Sequence, residues 1–294
     1  MNNNLLRLYV FLNLIAGCVI FLTSLTPLYC QSSQTNTETQ INIPQLIDEL
    51  AESDFIVNYY AGKKIIKAGS KAIPELIKAL DHKKGKVRIA SIFLLEQIND
   101  KSAIPSLIKV VSNETRKENE RAAAAMALGR MGSKESSEIL IKYLSDDSNT
   151  LKMACIISLG MLKEEKAVPH LAKLTRDKNE QIRKFSIQSI RSIGNKAIQE
   201  LEKTIQDGSL EEKLLSLEVL SYINNEQSYE SLKKFMNSSD KYVAISSAYI
   251  LSTIGKSEGK EIATKLKNDP DPKIKVIAVE TLKNIEKLEK GGIK

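Results

Sequence analysis

One pattern returns eight times along this chain at intervals of 30 to 33 residues, and it constrains the fold more than any other feature. Take Val87-Arg88-Ile89-Ala90-Ser91 and use Arg88 as the reference position. Equivalent positions are Asn58, Arg121, Lys152, Arg183, Lys213, Ala244 and Lys275. Three residues further on, every unit has a small side chain: Ala61, Ser91, Ala124, Cys155, Ser186, Ser216, Ser247 and Ala278. Seven further on, every unit has Leu or Ile, from Ile65 and Leu95 to Leu282. Ten further on stands a third apolar column, from Ala68 and Ile98 to Ile254 and Ile285. Offsets of 3, 7 and 10 fall on one face of an α-helix. The small column lets a neighbouring helix approach closely, and the larger columns fill the layer between helices.

One residue beyond the last column stand Gly69, Asn99, Gly132, Gly194, Asn224 and Gly255. Gly or Asn there reads as a helix stop, because that position adopts a left-handed backbone. Lys163 and Glu286 depart from the pattern. A second apolar marker precedes each reference position, among them Leu46, Leu76, Leu107, Leu140, Leu171, Leu201 and Leu232, with Ala263 in the eighth unit. Pro44, Pro74, Pro105 and Pro169 open this earlier helix, where a missing N–H has no partner to lose. Glu138, Gln199, Glu230 and Glu261 hold that place elsewhere, and the acids among them suit the positive helix end. Asp81, Asp146, Asp177, Asp207, Asp240 and Asp271 mark the turn between the two helices. The one 33-residue interval has its extra residues in the polar Ser112–Asn119 stretch, a loop.

Each unit therefore reads helix, polar turn, helix, stop. A single pair cannot bury its apolar face, and stacked neighbours supply the burial. The expected fold is all-α: a solenoid of about eight stacked antiparallel helix pairs over residues 42–294. Composition agrees, with 42% hydrophobic residues, 5% aromatics and no Trp, a mix for thin aliphatic layers. The formal net charge is +7. Lys and Glu are interspersed without a long basic block, which reads as solvated helix faces and argues against nucleic acid.

The first 30 residues differ. From Leu8 to Tyr29 no residue is charged, Arg7 precedes the stretch, and polar Gln31–Thr37 follows. This is the layout of an export signal. Ile15-Ala16-Gly17-Cys18 offers a second reading, lipidation at Cys18, and the uncharged run is also long enough to remain as a membrane anchor. All three readings place the folded part outside the cytoplasm, behind a polar linker at 31–41. Cys155 is the one cysteine beyond that segment, so no disulfide forms within the folded part.

Ala72-Ile73-Pro74-Glu75-Leu76-Ile77-Lys78-Ala79-Leu80, an Asp turn and Val87-Arg88-Ile89-Ala90-Ser91 resemble HEAT repeats, as do Ala167–Lys173 and Gln181–Arg183. The short period is most similar to the subtype named for phycobilisome lyases. The resemblance covers about 250 residues. It implies a superhelix with the second helices lining its inner surface, and leaves function open. A helical hydroxylase built of such repeats binds its metal through paired His-Glu steps. Here His82 precedes Lys83 and His170 precedes Leu171, in different units, so neither a metal nor another cofactor is expected. Cys155 occupies a small-residue slot, which points to a structural thiol.

Offset 5 faces outward on the second helix, yet Phe93, Met126 and Ile157 are apolar there, and Ile89 and Met153 join them at offset 1. These five residues are the candidate partner groove. Tight curvature that half-buries the column is the competing account. The expected function is an exported, non-catalytic scaffold holding a protein or peptide on its inner face. An enzyme or enzyme subunit of the bilin-lyase kind, and nucleic-acid binding by a Lys-rich surface, are the alternatives.

Overall fold

The structure is a computed structural model, and it describes residues 42–52 and 54–291. The export segment, Cys18, Cys30 and the linker at 31–41 lie outside the described residues. The described residues from Pro44 onward form one contact unit. Among the described residues there is no strand, and no helix is long and apolar enough to cross a membrane.

Eight helix pairs follow one another, as the repeat predicts. Odd numbers denote the first helix of a pair. They are α1 (Ile43–Glu49) and α2 (Phe55–Ala68), α3 (Ile73–Ala79) and α4 (Gly85–Ile98), α5 (Ile104–Ser112) and α6 (Glu118–Arg130), α7 (Ser137–Lys142) and α8 (Asn149–Leu162). Then come α9 (Val168–Leu174) and α10 (Glu180–Ile193), α11 (Asn195–Asp207) and α12 (Leu210–Ile223), α13 (Glu226–Phe235) and α14 (Lys241–Thr253), α15 (Lys260–Leu266) and α16 (Pro272–Glu289). Each second helix packs on the second helix of the next pair, α4 on α6, α6 on α8, α8 on α10 and so on.

The columns are the core. All eight small residues are buried, as are Leu46, Leu76, Leu107, Leu140, Leu171, Leu201, Leu232 and Ala263 of the first helices. At offset 10, Ile254 departs and stays 38% exposed. The stops also form. Gly69, Asn99, Gly132, Gly194, Asn224 and Gly255 all have positive φ. Lys163 does too, at φ 50°, so this pair keeps the left-handed stop without the residue that favours it. Glu286 does not: α16 runs on to Glu289. The extra residues of the third unit form the loop at 113–117, as expected. Two helix starts differ from the sequence reading. Gly194 is followed at once by α11 from Asn195, and α13 begins at Glu226, so Gln199 and Glu230 lie beyond the first turn.

The turn acids have two tasks. Asp146, Asp177, Asp240 and Asp271 each accept a backbone N–H two residues on, at 2.8 to 3.0 Å. Three of them also face the basic reference residue of the pair before: Arg121 and Asp146 lie 3.4 Å apart, Lys152 and Asp177 3.8 Å, Lys213 and Asp240 3.8 Å. The reference arginines reach backwards as well. Arg88 donates to the His82 carbonyl at 2.7 Å, Arg121 to Val111 at 2.9 Å and Arg183 to Asp177 at 2.8 Å. These carbonyls end the first helix or its turn and have no partner within a helix. The recurring cation therefore ties each turn to the next, a structural use of charge.

Candidate functional site

The predicted groove residues sit on three adjacent second helices. Ile89 and Phe93 are on α4, Met126 on α6, Met153 and Ile157 on α8. Ile89, Phe93, Met126 and Ile157 are half-buried. Met153 is 5% exposed and belongs to the core, so it drops out of the surface row. Lys63 and Gln188, both exposed, stand at the same offset on either side of the row.

Helix spacing explains the half-burial. Gly129 of α6 and Gly160 of α8 lie inside helices without positive φ, where glycine weakens the helix by about 1 kcal/mol relative to Ala. A Cβ on Gly129 would stand 2.6 Å from the Cβ of Ser158, and one on Gly160 would stand 2.8 Å from that of Ser189. The two serines use the closeness. Ser158 donates to the Ala125 carbonyl and Ser189 to the Ile156 carbonyl, each at 2.8 Å. The Ser158 hydroxyl also lies 3.8 Å from the Met126 sulfur. So α6, α8 and α10 are drawn together, and the apolar row between them is partly covered by its own neighbours. The curvature account and the surface account both hold in part: the row is narrowed but still open to solvent.

An ion pair borders the row. Glu96 lies three residues after Phe93 and Arg130 four after Met126, which puts both on the face that carries those side chains. Arg130 Nη1 is 3.1 Å from each carboxylate oxygen of Glu96. Burial pushes the Glu96 carboxyl above the ordinary carboxylate range, and Arg130 only partly restores it. A second pair is buried deeper. Glu120, whose side chain is 2% exposed, receives Arg88 at 2.9 and 2.5 Å and Arg116 at 3.4 Å. Burial pushes this carboxyl up, but the two guanidiniums outweigh it and hold it below the usual range. Arg116 comes from the inserted loop, and it also bonds the Leu80 carbonyl at 2.7 Å and pairs with Asp81.

Cys155 is fully buried, and burial, with a smaller contribution from Asp146, pushes its thiol up to about 12. It is a structural thiol, protonated at neutral pH. His82 lies in the α3–α4 turn, where its Nδ1 accepts the Lys84 N–H at 3.2 Å, and His170 is exposed on α9. The two histidines belong to the second and fifth pairs. Among the described residues no three His, Cys, Asp or Glu side chains are placed to hold a metal ion. The residues present do not fit the paired His-Glu ligation of a helical-repeat hydroxylase. The site is a partly apolar strip with one Glu–Arg pair at its edge.

The HEAT-repeat family profile matches residues 114–191. Curated relatives include deoxyhypusine hydroxylases from several fungi and from rice. The enzyme from Gibberella zeae is 28% identical over 113 residues, 38% of this chain and 34% of that protein. The enzyme from Aspergillus fumigatus is 26% identical over 141 residues, 44% of this chain and 42% of that protein. The chain thus spans well under half the length of these relatives. Among solved structures, human deoxyhypusine hydroxylase in complex with glycerol aligns at 20% identity with a TM-score of 0.38, covering 83% of this chain and 96% of that one. These relatives correct the expectation of a non-catalytic scaffold and of a chain that is not an enzyme, since the proteins it matches are enzymes.

Proposed function

Because the chain is a HEAT-repeat protein, by its eight helix pairs and the match over residues 114–191, we propose that it is an enzyme, or the substrate-holding subunit of one, acting on a polypeptide. The observation that carries this reading is the set of deoxyhypusine hydroxylases among its curated relatives. Their name supplies the substrate chemistry, hydroxylation of deoxyhypusine, and the polypeptide carrier is part of this proposal. The row Ile89, Phe93, Met126 and Ile157 suits the apolar part of such a segment, and Arg130 at its edge, 34% exposed, suits a carbonyl or carboxylate beside it.

The test incubates the full chain with a deoxyhypusine-bearing protein, air, divalent iron or manganese and a thiol reductant to supply the two electrons that take the second oxygen atom to water, and follows both association and the mass of the target. Association that is lost in Phe93→Asp/Ile157→Asp supports the substrate-holding subunit. A gain of one oxygen atom on the target supports an enzyme complete in itself. Neither association nor a mass change refutes the reading. Circular dichroism of the double variant verifies that its helices persist.

A further inference from the structure

We propose that α2, the second helix of the first pair, docks the chain onto the surface of an anionic lipid bilayer. This goes beyond the proposed function and rests on no part of it.

The first observation is a mixed stripe on α2. Ile56 is 62% exposed and Tyr60 58% exposed, among the most exposed large apolar side chains of the described residues. Residues 56, 60, 63 and 67 follow one another at steps of four, three and four, which places Ile56, Tyr60, Lys63 and Lys67 on one helix face. Ala61 and Ile65, on the opposite side, are fully buried. The apolar half of the stripe is therefore additional to the core and unused by it.

The repeat shows how unusual this is. At the register position of Tyr60 the next three pairs have Ala90, Ala123 and Ala154, each buried or half-buried. The end unit of a solenoid ordinarily presents polar residues on its outer side, because no further unit covers it. Here the end unit presents an isoleucine and a tyrosine.

The second observation is charge. Helix α2 contains Lys63, Lys64 and Lys67 and no acid, and Lys71 follows it. All four are exposed, and none has an acidic partner among the described residues. Lys63 Nζ sits 5.1 Å over the Tyr59 ring. Over residues 55–88 nine side chains are basic and two acidic, a surplus of seven. The whole chain has 43 against 36, the same surplus, so the remaining residues balance. The basic excess is local to the second half of α2 and the residues that follow it: the first two pairs as a whole, Ile43–Ile98, hold nine basic and seven acidic side chains, with Asp48, Glu49, Glu52 and Asp54 all preceding α2.

Exposed aliphatic and aromatic side chains beside unpaired lysines fit the interface of an anionic bilayer. The apolar groups enter the headgroup boundary, the tyrosine keeps its hydroxyl in water, and the lysines extend to phosphates. A nucleic-acid surface fits less well. It gains nothing from an exposed Ile, and the stripe lacks arginine, the residue suited to bidentate phosphate contacts.

The chain contains no Trp, so Tyr60→Trp in the full-length protein gives a single-site reporter. It is titrated with vesicles of phosphatidylcholine alone and of equimolar phosphatidylcholine and phosphatidylglycerol. A reference protein carries Tyr249→Trp, on α14, 37% exposed. The expected result is a blue shift at position 60, with quenching by brominated lipid, on the anionic vesicles only. Each lysine near such a surface is worth roughly a fivefold change in partitioning, so Lys63→Gln/Lys67→Gln lowers it about 25-fold. Four results overturn the proposal: no shift on anionic vesicles with the far-ultraviolet spectrum intact, an equal shift at position 249, partitioning unchanged in the double Gln variant, or a shift with polyuridylate but none with vesicles, which assigns the stripe to nucleic acid.

Discussion

Two glycine-to-alanine substitutions within second helices should change stability in opposite directions. Gly62 lies inside α2 and Gly160 inside α8, and neither has a positive φ. Intrinsic helix propensity favours Ala over Gly by about 1 kcal/mol at both. At Gly62 the new methyl meets only Leu94 Cδ2 at 3.7 Å, an ordinary contact, so Gly62→Ala should stabilise by roughly 0.5–1 kcal/mol. At Gly160 it would stand 2.7 Å from Ser189 Oγ, 2.8 Å from its Cβ and 2.9 Å from its Cα. The last atom is backbone, so α8 and α10 must move apart rather than a side chain turn aside. Overpacking of this kind costs about 1–3 kcal/mol. The buried bond from Ser189 to the Ile156 carbonyl is strained as well, and losing it costs about 1–3 kcal/mol more. Net of the propensity gain, Gly160→Ala should destabilise by roughly 1–5 kcal/mol. Urea unfolding followed by circular dichroism reads both changes. If Gly160→Ala proves as stable as Gly62→Ala, the close approach of α8 and α10 is not what the glycine serves, and the explanation for the half-buried row fails with it.

Three further outcomes are expected. Lys163→Gly should raise stability by about 0.5–1 kcal/mol in the same urea assay, because it removes the left-handed strain of φ 50° at the end of α8, whereas Gly132→Ala at φ 68° should lower it by about 1 kcal/mol. Glu120 is held below the ordinary carboxylate range, so its contribution is present above the unfolded-state value of 4.5 and is lost as pH falls through the folded-state value. Glu120→Gln should therefore cost roughly 2–4 kcal/mol at neutral pH and flatten the loss of stability on acidification, and an unchanged acid limb contradicts the role given to Arg88 and Arg116. The Cys155 thiol should fail to react with a disulfide reagent at neutral pH until denaturant is added, and rapid labelling of the folded protein would show that its slot is open.

The architecture was legible because each unit repeats the same local instruction, a small residue at offset 3, large ones at 7 and 10, and a Gly or Asn stop. Eight copies of a weak signal make a strong one. Exceptions escaped where one copy is satisfied by its surroundings. Lys163 takes the left-handed turn because α8 and α9 demand it, and Ile254 stays exposed at a column position that is elsewhere at least half-buried. The candidate row was legible as residues but not as depth. Whether Met126 is open depends on how far α8 stands away, and that is set by Gly129 against Ser158, offsets 8 and 6 of neighbouring units. A helix-interior glycine was the available signal for it. Glu96 and Arg130 escaped for the same reason, since an ion pair between adjacent units shows only when their registers are laid side by side. The charge surplus was visible in composition, but the basic run over residues 55–88 appears only when it is counted apart from the four acids just before it. The enzymatic kinship was carried by similarity to other proteins and by no motif in the repeat.

The ties between units reach no further than the next one. Arg88 to Glu120, Arg121 to Asp146, Ser158 to Ala125 and Ser189 to Ile156 span 32, 25, 33 and 33 residues of the chain, and Arg176 to Glu218 spans 42. Among the described residues these links therefore do not wait for the far end of the polypeptide. A chain of this kind has low contact order for its length, and its loop-closure entropy is met in small equal instalments. Each helix pair can dock as soon as the following pair has left the ribosome, so the protein can acquire its structure in step with its synthesis, from the first pair towards the last.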